Sequence, residues 1–535
     1  MHMRKRHLAA CRRTTTHREF IYASVTATVD GKGCADVIPA MRLDRRASES
    51  RVASVKALYA ATLNASPSMH REAIMSHDEQ LKRGLSNRHI QLLAIGGAIG
   101  TGLFMGSGRT ISVAGPSIVL VYAIIGFFLF FVMRAMGELL LSNLKYKSFT
   151  DFCEDLLGPW AGFFVGWTYW FCWVVTGTAD VIAISGYIAY WFPTLSSWIP
   201  AIGFILLLVA LNLVSVNLFG EMEFWFASIK IVAIVALILV GIFLVATGFV
   251  SPTGHEASVS NLWMHGGVFP NGIMGFLAGF QIALFAFVGI ELVGTTAAET
   301  KDPETTLPRA INAVPIRVIF FYVLALIAIM CITPWNLLDP SGSPFVHTFD
   351  MVGVAAAASI INFVVLTSAA SSANSGIYST SRMLYGLAQL GVAPKAFGKL
   401  SASQVPAGGL LFSCFCLLLG SAMLFVMPSV MEAFTIITTV SASLFIFVWS
   451  LILFSYLAYL RKYPERHAAS KFKLPGGSLT IWACLAFFVF IIVALLLEQI
   501  TREALIVTPI WFVILGVGYM IARKNHPGNE NASWK

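Results

Sequence analysis

From residue 89 to residue 523 the chain repeats one pattern: long apolar stretches alternate with short polar connectors. A bilayer core about 30 Å thick requires ~20 apolar residues of helix at 1.5 Å each, so each stretch predicts a membrane-crossing helix. The stretches fall at 89–111, 115–141, 159–191, 199–217, 223–248, 273–297, 309–333, 352–388, 407–427, 431–460, 478–498 and 503–523. They are numbered spans 1 to 12 below. The period-two alternation of a membrane β-barrel is not present. The pattern therefore predicts an all-α integral membrane protein with twelve transmembrane helices.

Two spans carry a break. "AIGGAIGTGLFMGSG", residues 94–108, holds six glycines in fifteen positions. Glycine weakens a helix by roughly 1 kcal/mol relative to alanine, and lipid offers a loosened backbone no partner. In span 6, "FAFVGIELVG" places Gly289 and Gly294 inside the apolar run. The two spans are five helices apart, an odd number, so the halves they open run in opposite directions. Interrupted helices at matching places in two halves point to a transporter with a 5+5 inverted-repeat core, here spans 1–10 over residues 89–460. Helices 11 and 12, within residues 478–523, lie outside the repeat.

An unwound helix frees N–H groups at the start of one half and C=O groups at the end of the other. A carboxylate suits the N–H groups around Gly100, Thr101 and Gly102, and an ammonium suits carbonyls before the break. An amino acid zwitterion carries both charges on one carbon. The competing reading is helix packing of the small-xxx-small kind, which Gly96/Gly100 and Gly102/Gly106 also fit.

Ionisable residues inside spans are costly and count as functional candidates. Lys230 lies seven residues into span 5, about 10 Å along the helix. That is too deep for easy snorkelling, and a buried lysine is suited to carrying a proton. Asp180 lies in the middle of span 3, where cavity lining and a buried polar network are both open. Glu291 follows the span 6 break and reads equally as a gate, a proton-linked carboxylate or a helix-stabilising acid. Arg134 and Glu138, four residues apart in span 2, are placed to pair on one helix face. Glu221 and Glu223 open span 5 and read as interfacial. Ser368, Ser371, Ser372, Asn374 and Ser375 make span 8 rich in hydroxyls. The run "WTYWFCW" reads as an interface anchor, although Trp167, Trp170 and Trp173, with Phe285 and Phe287, would also leave little room for a large substrate.

Composition supports this picture. The 535 residues are 57% hydrophobic and 12% charged, against about 25% charged in a soluble domain. Residues 1–88 hold sixteen Lys and Arg against eight Asp and Glu, so +8 of the net +9 lies there. The basic balance therefore gives no sign of a nucleic-acid partner. Residues 1–74 read as a disordered N-terminal extension or as sequence upstream of the true start, and 75–88 as a cytoplasmic N-terminus. Connectors after spans 2, 6, 8 and 10 carry Lys and Arg, from Lys145 to Lys473, and the alternate set has only Arg109 and Arg502. That asymmetry places both termini in the cytoplasm, with 524–535 as a cytoplasmic tail. Eight scattered cysteines and eleven histidines show no metal-binding spacing. No metal or other cofactor is expected, and no clustered catalytic constellation suggests an enzyme.

"NRHIQLLAIGGAIGTGLFMGSG", "FFVMRAMGELLLSN", "LGPWAGFFVGWTYWFCWV", "FAFVGIELVGTTAAETKDPE" and "SSANSGIYSTSRMLYGLA" resemble the bacterial amino acid transporter family of the amino acid–polyamine–organocation superfamily. "TGTADV" and "EFWFASIKIVAIV" are most similar to its D-serine/D-alanine/glycine permeases. The resemblance runs over roughly residues 80–525 and not over 1–74. It implies a LeuT-like fold with broken helices 1 and 6, in the bacterial inner membrane. It also implies a symporter driven by the proton gradient, importing small neutral amino acids such as D-alanine, D-serine and glycine. A permease for aromatic or branched amino acids, or a sodium symporter or exchanger, remains the alternative.

By the same resemblance the substrate carboxylate meets the backbone of Gly100, Thr101 and Gly102. Its ammonium meets carbonyls aligned with Ala98, Phe285, Ala286 and Val288. Lys230 matches the span 5 lysine whose ammonium sits between spans 1 and 8, with Ser371 and Ser372 as neighbours. Glu291 is the next candidate for the proton.

Overall fold

The computed structural model describes residues 99–525 apart from 147, 215, 296–301, 354, 402–403 and 428. Ala98, Gly96, Gly97 and the segments 1–74 and 75–88 lie outside the described residues. Among the described residues the chain is helical, with one isolated bridge between Val250 and Glu256 in a connector.

The helices that matter for the site are α1 (Thr101–Phe104), α2 (Gly106–Ala114), α3 (Ile118–Ser142), α4 (Pro159–Ala189), α5 (Val216–Ala246), α6 (Gly272–Ala283), α7 (Leu292–Thr295) and α8 (Ala355–Gln389). They are followed by α9 (Ala407–Ser421), α10 (Val430–Lys462), α11 (Gly477–Leu495) and α12 (Gln499–Asn525). Nine helices among the described residues are long and apolar enough to cross a membrane, and Trp198–Leu213 and Gly272–Phe287 are shorter apolar ones.

Turn chemistry separates them. Gly115 takes φ +58 and Pro116 follows in a 3-10 turn, so the helix is interrupted between α2 and α3. Gly158 takes φ +101, and Pro159 fills the first position of α4, where no N–H is needed. Ser429 caps α10 by accepting the Glu432 amide.

Helix α4 is the centre of the bundle and packs along α8 and α10. Of its most apolar window 83% is buried, against 17% for α12. The outward face of α12, with Ile506, Ile510, Val513 and Ile514, is apolar and exposed, as a lipid-facing surface is. On that rim Arg109 of α2 pairs with Glu498, just before α12.

Two expectations change here, and one is refined. Helix α5 spans Val216–Ala246, so Glu223, the first residue of its membrane-length apolar stretch, lies two turns inside the helix and is 3% exposed, buried in protein. Arg134 and Glu138 form no ion pair. Arg134 donates to Asn312 and to the Lys473 carbonyl and covers the Phe472 ring. Glu138 is fully buried with Tyr456, His467 and the Leu474 amide. The "WTYWFCW" run is not an interface anchor either: Tyr169, Trp170 and Trp173 are buried, because α4 is enclosed by other helices.

Candidate functional site

Both breaks are visible from their described sides. Gly100 is extended, with φ −126 and ψ −161, and the helix starts at Thr101. Its carbonyl accepts from the Leu103 and Phe104 amides. The Thr101 and Gly102 amides open the first turn and have no acceptor within the helix. In span 6, α6 tightens into a 3-10 turn at Leu284–Phe287. Val288 then leaves helical geometry, and Gly289 adopts φ +102, which an L side chain rarely takes. The helix resumes at Leu292. Glu291 closes the gap: its Oε2 accepts from the Gly289 amide at 3.1 Å, and its Oε1 accepts from the Tyr169 hydroxyl at 3.3 Å.

The two breaks press together. A Cβ on Gly102 would stand 2.5 Å from the Cα of Ala286, and one on Gly106 would stand 2.9 Å from Ile282 Cγ2. Gly102 allows backbone approach and Gly106 makes room for the Ile282 side chain, so the packing reading applies to both. A Cβ on Gly100 would stand 3.5 Å from Ser372 Oγ, an ordinary contact. Gly100, not Gly102, is the glycine of the described motif with space beside it.

Two of the carbonyls proposed for an ammonium have protein partners in this conformation. Phe285 O accepts from the Val288 amide at 3.1 Å, and Ala286 O accepts from the Tyr322 hydroxyl at 2.8 Å. Thr101, Phe285, Ala286 and Val288 are all buried, so the site is closed.

Around the first break lies a buried polar cluster. Lys230 Nζ donates to the Ile99 carbonyl at 3.1 Å, and Ser368 Oγ donates to the same oxygen at 3.1 Å. One carbonyl of span 1 thus joins α5 and α8. Thr101 Oγ1 donates to Asp180 Oδ1 at 2.6 Å. Asp180 Oδ2 makes no hydrogen bond, with the Ser372 hydroxyl and the Lys230 ammonium in its electrostatic surroundings. Ser371 Oγ donates to both carboxylate oxygens of Glu223, at 2.8 and 3.0 Å. Lys230, Asp180 and Glu223 are all buried.

The structure therefore brings Gly100, Thr101, Lys230, Ser371 and Ser372 to one cluster. Glu291 is set apart on the span 6 break, with Tyr169. Sequence reading missed Tyr322 and Tyr169 as partners, and the Thr101–Asp180 bond joins residues 79 positions apart. Of the tryptophans, Trp173 packs on Gly376 and Phe445 in the interior. Trp170 stacks on Phe412 and donates to Ser413 of α9, and Trp167 donates to the Val392 carbonyl, so neither lines the breaks.

A sequence profile described as amino acid permease matches residues 89–531. The chain is 68% identical over 447 residues to the D-serine/D-alanine/glycine transporter of Escherichia coli K12, covering 84% of this chain and 95% of that protein. It is 53% identical over 449 residues to the amino-acid permease AapA of Bacillus subtilis, covering 84% and 96%.

Proposed function

Because the chain belongs to the amino acid permease family, we propose that it is a proton-coupled symporter importing small neutral amino acids, D-alanine, D-serine and glycine among them. In this reading it works in the bacterial inner membrane with both termini cytoplasmic, on twelve helices, ten of them a 5+5 inverted-repeat core. The name of the Escherichia coli relative supports the substrates. One observation carries the mechanism: the Lys230 ammonium sits on the Ile99 carbonyl beside Ser368, at the edge of the first break.

In this reading the substrate carboxylate takes the free amides of Thr101 and Gly102 near Gly100, where they carry the positive end of the half-helix. The substrate ammonium takes carbonyls of the span 6 turn, Phe285, Ala286 and Val288, with Ala98 as the matching position in span 1. Tyr322 yields the Ala286 oxygen as the ammonium arrives. Charged Lys230 holds spans 1, 5 and 8 together through Ile99. Neutral Lys230 has lost the charge-assisted part of that bond, so the bridge loosens. Proton loss and movement of span 1 are then one event. Ser371 and Ser372 shape the surroundings of this site, and Glu291 governs the span 6 turn through Gly289.

Lys230→Ala in proteoliposomes tests this reading. Accumulation of labelled D-alanine against its gradient is expected to vanish, while exchange persists. Accumulation with unchanged pH dependence would overturn the role of Lys230. Uptake that requires sodium and ignores the proton gradient would overturn the symporter reading.

A further inference from the structure

Glu223 has no part in the function just described, yet it is a buried acid inside α5. Both of its oxygens accept from Ser371, and Ser375, one turn on, also faces it. Among the described residues its charged neighbour is Lys230, seven residues along the same helix. Residues i and i+7 share a helix face, and helical side chains lean toward the N-terminus. Lys230 and Glu223 therefore share one face of α5 and interact electrostatically, with no direct ion pair between them while Nζ is held on the Ile99 carbonyl; the ammonium interacts with Asp180 as well.

The buried groups form a series. Thr101 and Asp180 stand at the break, Lys230 stands between, and Glu223 and Ser371 stand at the far end. With all three charged groups ionised, two acids face one base, and the cluster carries one excess negative charge. A buried charge without a partner is strongly disfavoured. One proton makes the cluster neutral. Glu223 lies about 10 Å nearer than Lys230 to the start of α5, the cytoplasmic end if the termini are cytoplasmic.

We propose that Glu223 is the cytoplasm-facing proton acceptor of the transport cycle. Released from the Ile99 carbonyl when span 1 moves, the Lys230 ammonium gives a proton to the Glu223 carboxylate. One N–H bond breaks and one O–H bond forms, leaving a neutral amine and a neutral acid. The acid then gives the proton to cytoplasmic water and returns to its carboxylate. The Ser371 hydroxyl holds the carboxylate in place between these two events. This relay rests on the reading of Lys230 as the proton carrier and of the termini as cytoplasmic.

The test uses the full chain in proteoliposomes, with labelled D-alanine, comparing wild type, Glu223→Gln and Glu223→Asp. Glu223→Gln is expected to lower the proton-driven accumulation ratio about tenfold, with gradient-free exchange retained. Glu223→Asp, which keeps the acid, is expected to restore accumulation. Glutamine accepts the same Ser371 bond, so a Glu223→Gln protein with wild-type accumulation and pH profile overturns the relay and leaves the symporter reading intact. Wild-type uptake indifferent to the proton gradient overturns both. If Glu223→Gln does not reach the membrane, Ser371→Ala decides. It keeps the acid and removes its donor, and it is expected to move the pH dependence of accumulation, so an unmoved profile overturns the relay.

Discussion

Two glycines two positions apart make opposite predictions. In Gly102→Ala the new Cβ meets Ala286 Cα at 2.5 Å and Ala286 N at 2.7 Å. Non-bonded carbons rest about 3.5–4.0 Å apart, so the two backbones must separate by roughly 1 Å. Neither atom belongs to a flexible side chain, so the strain spreads into both segments. Overpacking of this kind costs about 1–3 kcal/mol.

Gly100→Ala meets only Ser372, with Oγ at 3.5 Å and Cβ at 3.8 Å, and its extended backbone suits any residue. Loss of glycine's freedom in the unfolded chain favours the alanine by about 0.4–1 kcal/mol. Gly102→Ala is therefore expected to melt earlier than wild type. Gly100→Ala is expected to melt at or above it. The Gly100 variant places a methyl group beside the amides assigned to the substrate carboxylate, and a tenfold rise in KM corresponds to about 1.4 kcal/mol. Thermal unfolding of purified protein, with initial-rate uptake of labelled D-alanine at matched membrane abundance, measures both. A Gly102→Ala protein that melts with wild type refutes the close approach. An unchanged KM in Gly100→Ala refutes the carboxylate site at the break.

Thr101→Val removes the one donor to Asp180 Oδ1 and is expected to cost about 1–3 kcal/mol; Thr101→Ser retains the bond, and equal melting of the two variants would count against it. Glu138→Ala strips the acceptor from the Tyr456 hydroxyl and the Leu474 amide and leaves His467 without its partner. A loss of about 1–3 kcal/mol for each buried group left unsatisfied is expected, read as faster proteolysis in the connector between α10 and α11; an unchanged digestion pattern would contradict this. Phe285, Phe287 and Trp173 are bulky and buried, so glycine and unlabelled D-alanine are expected to compete with labelled D-alanine far better than tryptophan or phenylalanine. Equal competition by the aromatic amino acids would show that these side chains do not limit the site.

The breaks were legible because glycine density and a positive-φ requirement are local properties. Lys230 was legible because an ammonium deep in an apolar run is costly wherever the run folds. Glu223 was not, since hydropathy marks where lipid contact begins and α5 continues as helix for two turns before that point. Arg134 and Glu138 misled because spacing shows which groups can meet, not which competitors arrive. The connector 463–476 brings His467 and Leu474 to Glu138 from more than 300 positions away. The tryptophan run misled because anchor and core positions share a composition. Only the enclosure of α4 by α8 and α10 tells them apart. Thr101 was assigned through its backbone, and its side-chain partner on another helix leaves no trace in either segment.

The contact of Gly102 and Gly106 with residues 282–286 has a mechanical consequence. Packed helices shear by letting side chains re-seat in neighbouring grooves. At this contact, where Gly102 meets the Ala286 backbone, span 1 offers no side chain to re-seat. The half of span 1 after the break and the neighbouring turn of span 6 are therefore expected to travel as a single strut. Motion is left to the joints at either end: the extended residue Gly100, and the Val288–Gly289 bend, where the backbone already departs from helical geometry. The glycines of the first motif thus divide the labour, with Gly102 and Gly106 making the lever stiff and Gly100 giving it a pivot.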